Sequence, residues 1–264
     1  MQRRICRAFV HGGVGREPGI PPPEMNERTL AVRAGMGIFT MDLRKIRIAL
    51  DGPSGAGKST IAKRVAERMG LVYVDTGALY RSIGLYAIEH GIDADDADAI
   101  VRSLGDISLR LAYEDGTQVV YLNGTPVGDR IRTPQASRYA SAVSKLPEVR
   151  AYLLELQRSI ASEGGVIMDG RDIGTVIIPD AELKVFMTAS PEARANRRCI
   201  ELTERGTPQL YEDVLRDIIE RDRADRERAE SPCVPAPDAV EFVNDEYGIE
   251  ESADYIINLA ERLR

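Results

Sequence analysis

Residues Gly52, Pro53, Ser54, Gly55, Ala56, Gly57, Lys58 and Ser59, followed by Thr60, satisfy the spacing G-x-x-x-x-G-K-[ST]. Glycines let backbone N–H groups turn inward around an anion, and a helix N-terminus behind them adds partial positive charge. In such a loop Lys58 reaches the β- and γ-phosphates of a nucleoside triphosphate, and the Ser59 hydroxyl helps hold Mg2+. The pattern carries this meaning only between a strand and a helix. An apolar run over 46–50 leads into it, and Ile61, Ala62, Val65, Ala66 and Met69 recur behind it at helical spacing.

Three apolar runs end in a carboxylate at a matching point: Leu50-Asp51, Val74-Asp75 and Met168-Asp169. In an open parallel sheet such ends form one rim, where ligands bind. Asp75-Thr-Gly-Ala-Leu-Tyr-Arg81 puts Thr76 at a helix N-cap and Arg81 little more than a turn later. A cation there is disfavoured by the helix dipole unless an anion is shared; a surface ion pair is the alternative. In Asp169-Gly-Arg-Asp-Ile-Gly-Thr175, Asp169 could polarise a Mg2+ water shell and the fork of Arg171 matches two phosphate oxygens; a turn with a local Asp-Arg pair is the alternative. Arg221, Asp225 and Arg228 stand at i, i+4 and i+7 and share one side of a helix, which read alone is a solvated face laced with ion pairs. Arg194, Arg197, Arg198 and Arg205 could fold as a basic flap over phosphates or stay plain surface.

Positioning these groups takes alternating strands and helices from residue 44 onward. Strands are expected at 46–50, 71–74, 166–168, 183–188 and 240–243, with helices between them and a last helix over 250–264. That alternation implies a parallel sheet covered on both faces. The period changes at 107–113 and 118–122, which alternate around Glu114-Asp115-Gly116, with a third short strand expected at 127–132. The stretch 105–146 is thus a small antiparallel insert. Residues 1–44 carry glycines, a Pro21-Pro22-Pro23 run and scattered arginines without periodicity, and read as a disordered leader, or as upstream of a start at Met25, Met36 or Met41.

At 264 residues and 43% hydrophobic, the chain can bury one substantial core. A net charge of −7 argues against a nucleic-acid-coating surface. Cys6, Cys199 and Cys233 are odd in number and form no close-spaced pair, so they outline neither a disulfide framework nor a zinc site. No apolar run approaches the roughly 18 residues of a membrane span. The expectation is a soluble, cytoplasmic, monomeric chain.

Together, Gly52-Pro-Ser-Gly-Ala-Gly-Lys-Ser59, Asp75-Thr-Gly-Ala-Leu-Tyr-Arg81, Ile131-Arg-Thr133, Asp169-Gly-Arg-Asp-Ile-Gly-Thr175 and Glu220-Arg-Asp…Asp225…Arg228 closely resemble the bacterial cytidylate kinases, from about residue 47 to the C-terminus. The resemblance implies a P-loop NTPase-type five-stranded parallel sheet flanked by helices, with a kinase domain over 45–264. The insert belongs to the monophosphate-binding region, and a short lid spans about 193–210. ATP, with Mg2+, is the implied donor and CMP or dCMP the acceptor. Thr76, Arg132 and Asp172 would read the cytosine, and Arg221 and Asp225 would hold the ribose. Arg81, Arg171 and Arg228 would grip the CMP phosphate. Lys58, Arg171 and Arg228 would be catalytic, helped by lid residues Arg194, Arg197 and Arg198, with Ser59 and Asp169 serving the metal.

Such a reaction needs no general base, because an acceptor phosphate with a second pKa near 6 is already mostly ionised at pH 7. The absence of a suitable histidine fits: His11 lies in the leader and His90 near a helix end. A kinase of a small acceptor such as shikimate is the nearest rival, and it would not need an insert carrying Arg132. A guanine-nucleotide switch is disfavoured, since Asn-Lys-x-Asp is missing and Asp245-Glu-Tyr-Gly248 lies far from the loop in sequence.

Overall fold

The computed structural model describes residues 42–114 and 117–263. The expected leader falls outside them except for residues 42–44, as do residues 115 and 116 of the expected hairpin turn. The chain opens with β1 (Arg47–Asp51), α1 (Lys58–Met69), β2 (Val72–Asp75), α2 (Thr76–Glu89) and α3 (Ala97–Ser103). The hairpin strands β3 (Leu109–Glu114) and β4 (Thr117–Leu122) and the short β5 (Thr125–Pro126) follow, then α4 (Pro134–Val143) and α5 (Pro147–Ser162). The second half contains β6 (Val166–Gly170), β7 (Leu183–Thr188), α6 (Pro191–Glu204), α7 (Tyr211–Glu227), β8 (Val240–Val243) and α8 (Ile249–Glu261).

Five strands form one parallel sheet in the order β2-β6-β1-β7-β8, and β3-β4-β5 form a separate antiparallel sheet. This is the architecture expected from the alternation. Side chains alternate across each strand, so one strand feeds two cores. Ile48 and Leu50 pack with Ile61 and Val65 of α1 and Ile256 and Leu259 of α8. Ala49 faces the opposite layer, with Met168, Ala161 of α5 and Ile173. A third cluster joins Leu79 and Ile83 of α2 to Val120 and Leu122 of the insert and to Val143 and Leu153. Helices α6 and α7 share a smaller core of their own, Ala195, Leu202 and Val214.

The register aligns the strand ends. Leu50 and Asp75 both sit opposite Asp169, and Asp51 sits opposite Gly170, so the carboxylates do reach one rim. Two local expectations shift. The third insert strand is Thr125–Pro126, while Gly128–Arg132 is a 3-10 turn, because Pro126 removes a ladder donor and Gly128 turns the chain at φ 54°. The N-cap of α2 is Asp75, whose carboxylate accepts from the Ala78 N–H at 3.0 Å; Thr76 is the first helical residue. After β6 the chain makes a single π-helical turn, Ile173–Ile177, held by Asp51, which accepts from the Ile173 and Gly174 N–H groups at 2.8 and 2.7 Å.

Helices α2 and α4 meet at Gly84. A Cβ there would stand 2.7 Å from the Tyr139 Cβ and 3.3 Å from the Ala140 nitrogen. Gly84→Ala is therefore expected to destabilise the fold by about 1–3 kcal/mol, read as a lower urea midpoint at an unchanged slope. An unchanged midpoint would show that the two helices can separate freely.

Candidate active site

A cavity of about 850 Å³ runs along the carboxyl ends of the central strands. One part is lined by the glycine-rich loop, and another by α2, α5 and the end of α7. The loop leaves β1 through Gly52, at φ 142°, where a Cβ would lie 1.9 Å from the Met187 carbonyl oxygen. Only glycine fits. The loop carbonyls are tied down from outside: Arg194 Nη1 donates to Ser54 O at 3.1 Å, Asn244 Nδ2 to Ala56 O at 2.9 Å and Arg197 Nη1 to the same oxygen at 3.3 Å. Fixing carbonyls outward keeps the loop N–H groups free to face an anion. Lys58, buried at the start of α1, donates to Pro53 O at 2.8 Å. Burial, then Arg171, push its pKa well below the ordinary lysine value.

Beside Lys58, the Ser59 hydroxyl donates to Asp169 Oδ2 at 2.5 Å, and the Tyr73 hydroxyl approaches the same oxygen at 3.3 Å. Burial, then the neighbouring Asp75, raise the Asp169 carboxyl above the usual range. Asp51, one strand away, is pushed up to about 7 by burial, against the lowering effect of its two backbone donors.

The rest of the cavity wall is cationic. Arg171 Nε pairs with Asp225 at 3.1 Å, Arg221 lies 4.0 Å from the same carboxylate, and Arg81 donates to Asp75 at 2.6 Å. Arg150 is ion-paired with Asp172, and both are nearly buried. Among the described residues, the buried side-chain polar atoms left without a hydrogen-bond partner are Arg81 Nε, Arg221 Nε, Arg228 Nη2 and Thr175 Oγ1. Three of these are guanidinium donors on residues lining one cavity. Burial and Arg171 push Arg221 down, and burial and Arg150 push Arg228 down, because like charges are crowded in low dielectric. An oxyanion would satisfy the donors and relieve the crowding.

This layout, a phosphate loop facing a wall of underpaired arginines, accompanies clear sequence similarity. The family model described as cytidylate kinase matches residues 48–262. The chain belongs to the cytidylate kinase family. A cytidylate kinase of Pelotomaculum thermopropionicum is 49% identical over 193 residues, 73% of this chain and 85% of the relative. Those of Caldicellulosiruptor bescii and Geobacillus kaustophilus are 44% and 45% identical, each covering 82% of this chain and 96% of the relative. Family membership makes the chain an ATP-dependent nucleoside monophosphate kinase and implies phosphorylation of CMP.

Against that family background, the expected residues divide. Ser54, Gly55, Gly57, Lys58, Ser59 and Thr60 line the cavity, while Gly52, Pro53 and Ala56 shape the loop from behind. Thr76, Arg81, Asp169, Arg171 and Asp172 line it too, as do Arg221, Asp225 and Arg228, the last capping α7. The Thr76 hydroxyl donates to Asp169 O at 2.8 Å, which leaves its lone pairs. Arg132 does not join them. Its side chain is 60% exposed, 3.6 Å from Asp129, and its carbonyl accepts from Arg205 Nη1 at 3.1 Å.

The expected lid arginines separate as well. Arg194 is 2% exposed, ion-paired with Asp222 and bonded to Ala189 O at 2.9 Å, so it braces the loop instead of covering phosphates. Arg197 is tied to Asn244 O at 2.9 Å, and Arg198 pairs with Glu201 at 2.7 Å; both line the cavity. Sequence reasoning passed over Arg150. Its signal was a cation on the same stripe of α5 as Leu153, Leu154 and Gln157.

A buried lysine held below its ordinary pKa regains its proton when a polyanion arrives. Between the lowered value and the ordinary 10.5, the triphosphate-bound state of Lys58 therefore holds more protons than the free state. Asp169, already ionised there, adds nothing. ATP binding near pH 8.5 should take up a fraction of one proton, measured by titration calorimetry in buffers of different ionisation heat. Proton release would contradict this electrostatic picture.

Proposed function

We propose that the enzyme transfers the γ-phosphoryl group of Mg-ATP to the 5′-phosphate of CMP, and of dCMP, giving CDP or dCDP and ADP. One observation carries the reading of the acceptor side: the unpartnered donors of Arg81, Arg221 and Arg228, gathered with Arg171 in the cavity that the phosphate loop also lines. An array of this kind suits a dianionic phosphate. Shikimate offers a single carboxylate and gives no reason for so many arginines.

Arg81, Arg171 and Arg228 would hold the acceptor phosphate, and Arg221 with Asp225 the ribose. Thr76 and Asp172 would face the base. Asp172 is fixed by Arg150, which also donates to Ser144 O at 3.2 Å and Ser231 Oγ at 3.2 Å. That rigid, bonded pair is better suited to reading a pyrimidine edge than the exposed Arg132. The acceptor oxygen is already ionised near neutrality, so alignment and charge neutralisation supply the catalysis. Lys58, Arg171 and Arg228 would take up the charge that spreads over the transferring phosphoryl oxygens.

Mg2+ fits the loop: Ser59 Oγ and Asp169 Oδ2 are adjacent hard oxygens, and no group of three or more His, Cys, Asp or Glu side chains able to cage a metal occurs among the described residues. An ion held by one or two protein oxygens and the substrate phosphates is the usual arrangement for Mg2+. Bound there, it would neutralise the β- and γ-phosphate oxygens. The kinase unit is taken as 45–264, with the insert at 105–146 and a lid about 193–210 built on α6 and the turn that leads into α7. The enzyme is read as a cytoplasmic monomer that engages neither nucleic acid nor membrane. The net charge of −7 supports the exclusion of nucleic acid, and among the described residues no helix is long and apolar enough to cross a bilayer.

Coupled measurement of ADP release with CMP, dCMP, UMP, AMP and shikimate tests the reading. CMP and dCMP should be the best acceptors, and Lys58→Ala should lower kcat by about 10²- to 10³-fold with little change in fold. Turnover of shikimate without turnover of CMP would overturn it. On the same panel, Arg150→Ala should lower the CMP-over-UMP ratio by roughly tenfold or more. Arg132→Ala, removing an exposed side chain, should change that ratio by less than about fivefold. The opposite order would return base reading to Arg132.

A further inference from the structure

The insert meets the edge of the catalytic sheet without a backbone ladder. Strand β2 is the edge of the parallel sheet. The Val72 N–H donates to Gly165 O on the β6 side at 2.8 Å, so by the period of a strand Tyr73 and Asp75 turn their backbone groups outward, toward the insert. An open edge of this kind needs covering. Two side chains of the hairpin cover it. Tyr113 of β3 donates its hydroxyl to Tyr73 O at 3.0 Å. Gln118 of β4 uses both ends of its carboxamide on a single residue: Oε1 accepts from the Asp75 N–H at 2.7 Å, and Nε2 donates to Asp75 O at 3.2 Å. The carboxamide thus imitates the peptide group of a neighbouring strand.

Asp75 is no ordinary edge residue. Its Oδ1 caps α2 through Ala78 N, and its Oδ2 receives Arg81 Nη2 at 2.6 Å. Arg81 folds back so closely that a Cβ on Gly77 would lie 3.0 Å from Arg81 Nη1 and 3.1 Å from Asp75 Oδ1. The same Arg81 lines the cavity and carries one of the unpartnered donors. The backbone position of Asp75 therefore sets where that guanidinium stands, and Gln118 grips that backbone on its open side.

We propose that Gln118 is a positioning residue for acceptor phosphate binding, acting from the insert through Asp75 on Arg81. This rests on the reading of Arg81 as a ligand of the acceptor phosphate. It gives the insert a role separate from base selection: a nucleoside monophosphate of any base presents the same phosphate to Arg81. Tyr113 makes the matched control, because it covers the same edge two residues earlier and is bonded to neither Asp75 nor Arg81.

The experiment compares the unaltered enzyme with Gln118→Leu, Gln118→Glu and Tyr113→Phe, measuring KM and kcat for CMP and UMP, KM for ATP and the thermal midpoint. Gln118→Leu should raise KM for CMP and for UMP by the same factor, roughly five- to tenfold, with KM for ATP unchanged. Tyr113→Phe should leave every KM near the unaltered value, whatever it does to the midpoint. Should the leucine variant not fold, Gln118→Glu keeps the acceptor for the Asp75 amide, loses the donor to its carbonyl, and should raise the same two KM values by a smaller factor. Unchanged KM for CMP in the folded variant overturns the proposal, as does a parallel rise in KM for ATP, an altered CMP-to-UMP ratio, or an equal effect from Tyr113→Phe. An unaltered enzyme without CMP turnover fails the acceptor reading, and this inference with it. An active unaltered enzyme beside an unaffected Gln118→Leu fails this inference alone.

Discussion

The governing constraint is the burial of more cation than anion at the carboxyl end of one parallel sheet. Arg81, Arg150, Arg171, Arg221, Arg228 and Lys58 crowd the part of the wall that holds Asp75, Asp169, Asp172 and Asp225, while Arg197 and Arg198 stand with Glu201 and Glu204 on the α6 side. Each carboxylate is engaged, two of them by more than one cation: Asp225 serves Arg171 and Arg221, and Asp169 feels both Lys58 and Arg171 while it accepts from the Ser59 hydroxyl. Guanidinium charge removed from water without a full complement of partners is costly, so the wall is held at the expense of stability. On the proposed reading the same deficit would be the source of affinity, since an incoming phosphate would meet donors that lack partners.

Holding such a wall together takes rigid fixtures on elements distant in sequence. Asp51, at the end of β1, grips the turn after β6 through two backbone donors, and that turn aims Arg171 and Asp172 in different directions. Arg171 reaches Asp225 on α7, and Asp172 reaches Arg150 on α5. A single buried carboxylate thus links the strand that feeds the phosphate loop to two helices of the cavity wall. The parallel register makes this possible, because it places Asp75, Asp169 and the end of β1 at one level.

Much of this was legible in the sequence, and the remainder was hidden for identifiable reasons. The phosphate loop, the rim carboxylates and the strand-helix alternation are local patterns fixed by period and spacing, so they could be read. Arg194 and Arg198 are both arginines on one helix, yet Arg194 turns inward to Asp222 and Ser54 while Arg198 pairs along its own helix with Glu201. The difference is set by a contact between α6 and α7 that no local pattern records. Arg132 is the converse case. Its motif lies in the insert, but Pro126 and Gly128 turn the chain so that the backbone, and not the side chain, meets Arg205 at the end of α6.

The capping of α2 joins these two levels. Asp75 and Thr76 are adjacent residues of N-cap type, Asp the stronger of the two, and from sequence the cap is expected at Thr76. In the fold the cap is Asp75. With Asp75 as cap, one carboxylate satisfies the helix end and anchors Arg81, while the Thr76 hydroxyl is free to bridge to Asp169 O and close the gap between β2 and β6. With Thr76 as cap, its hydroxyl would be drawn into the helix end and lost to the Asp169 carbonyl. The residue that starts the helix thus bears on how Arg81 is held at the cavity wall.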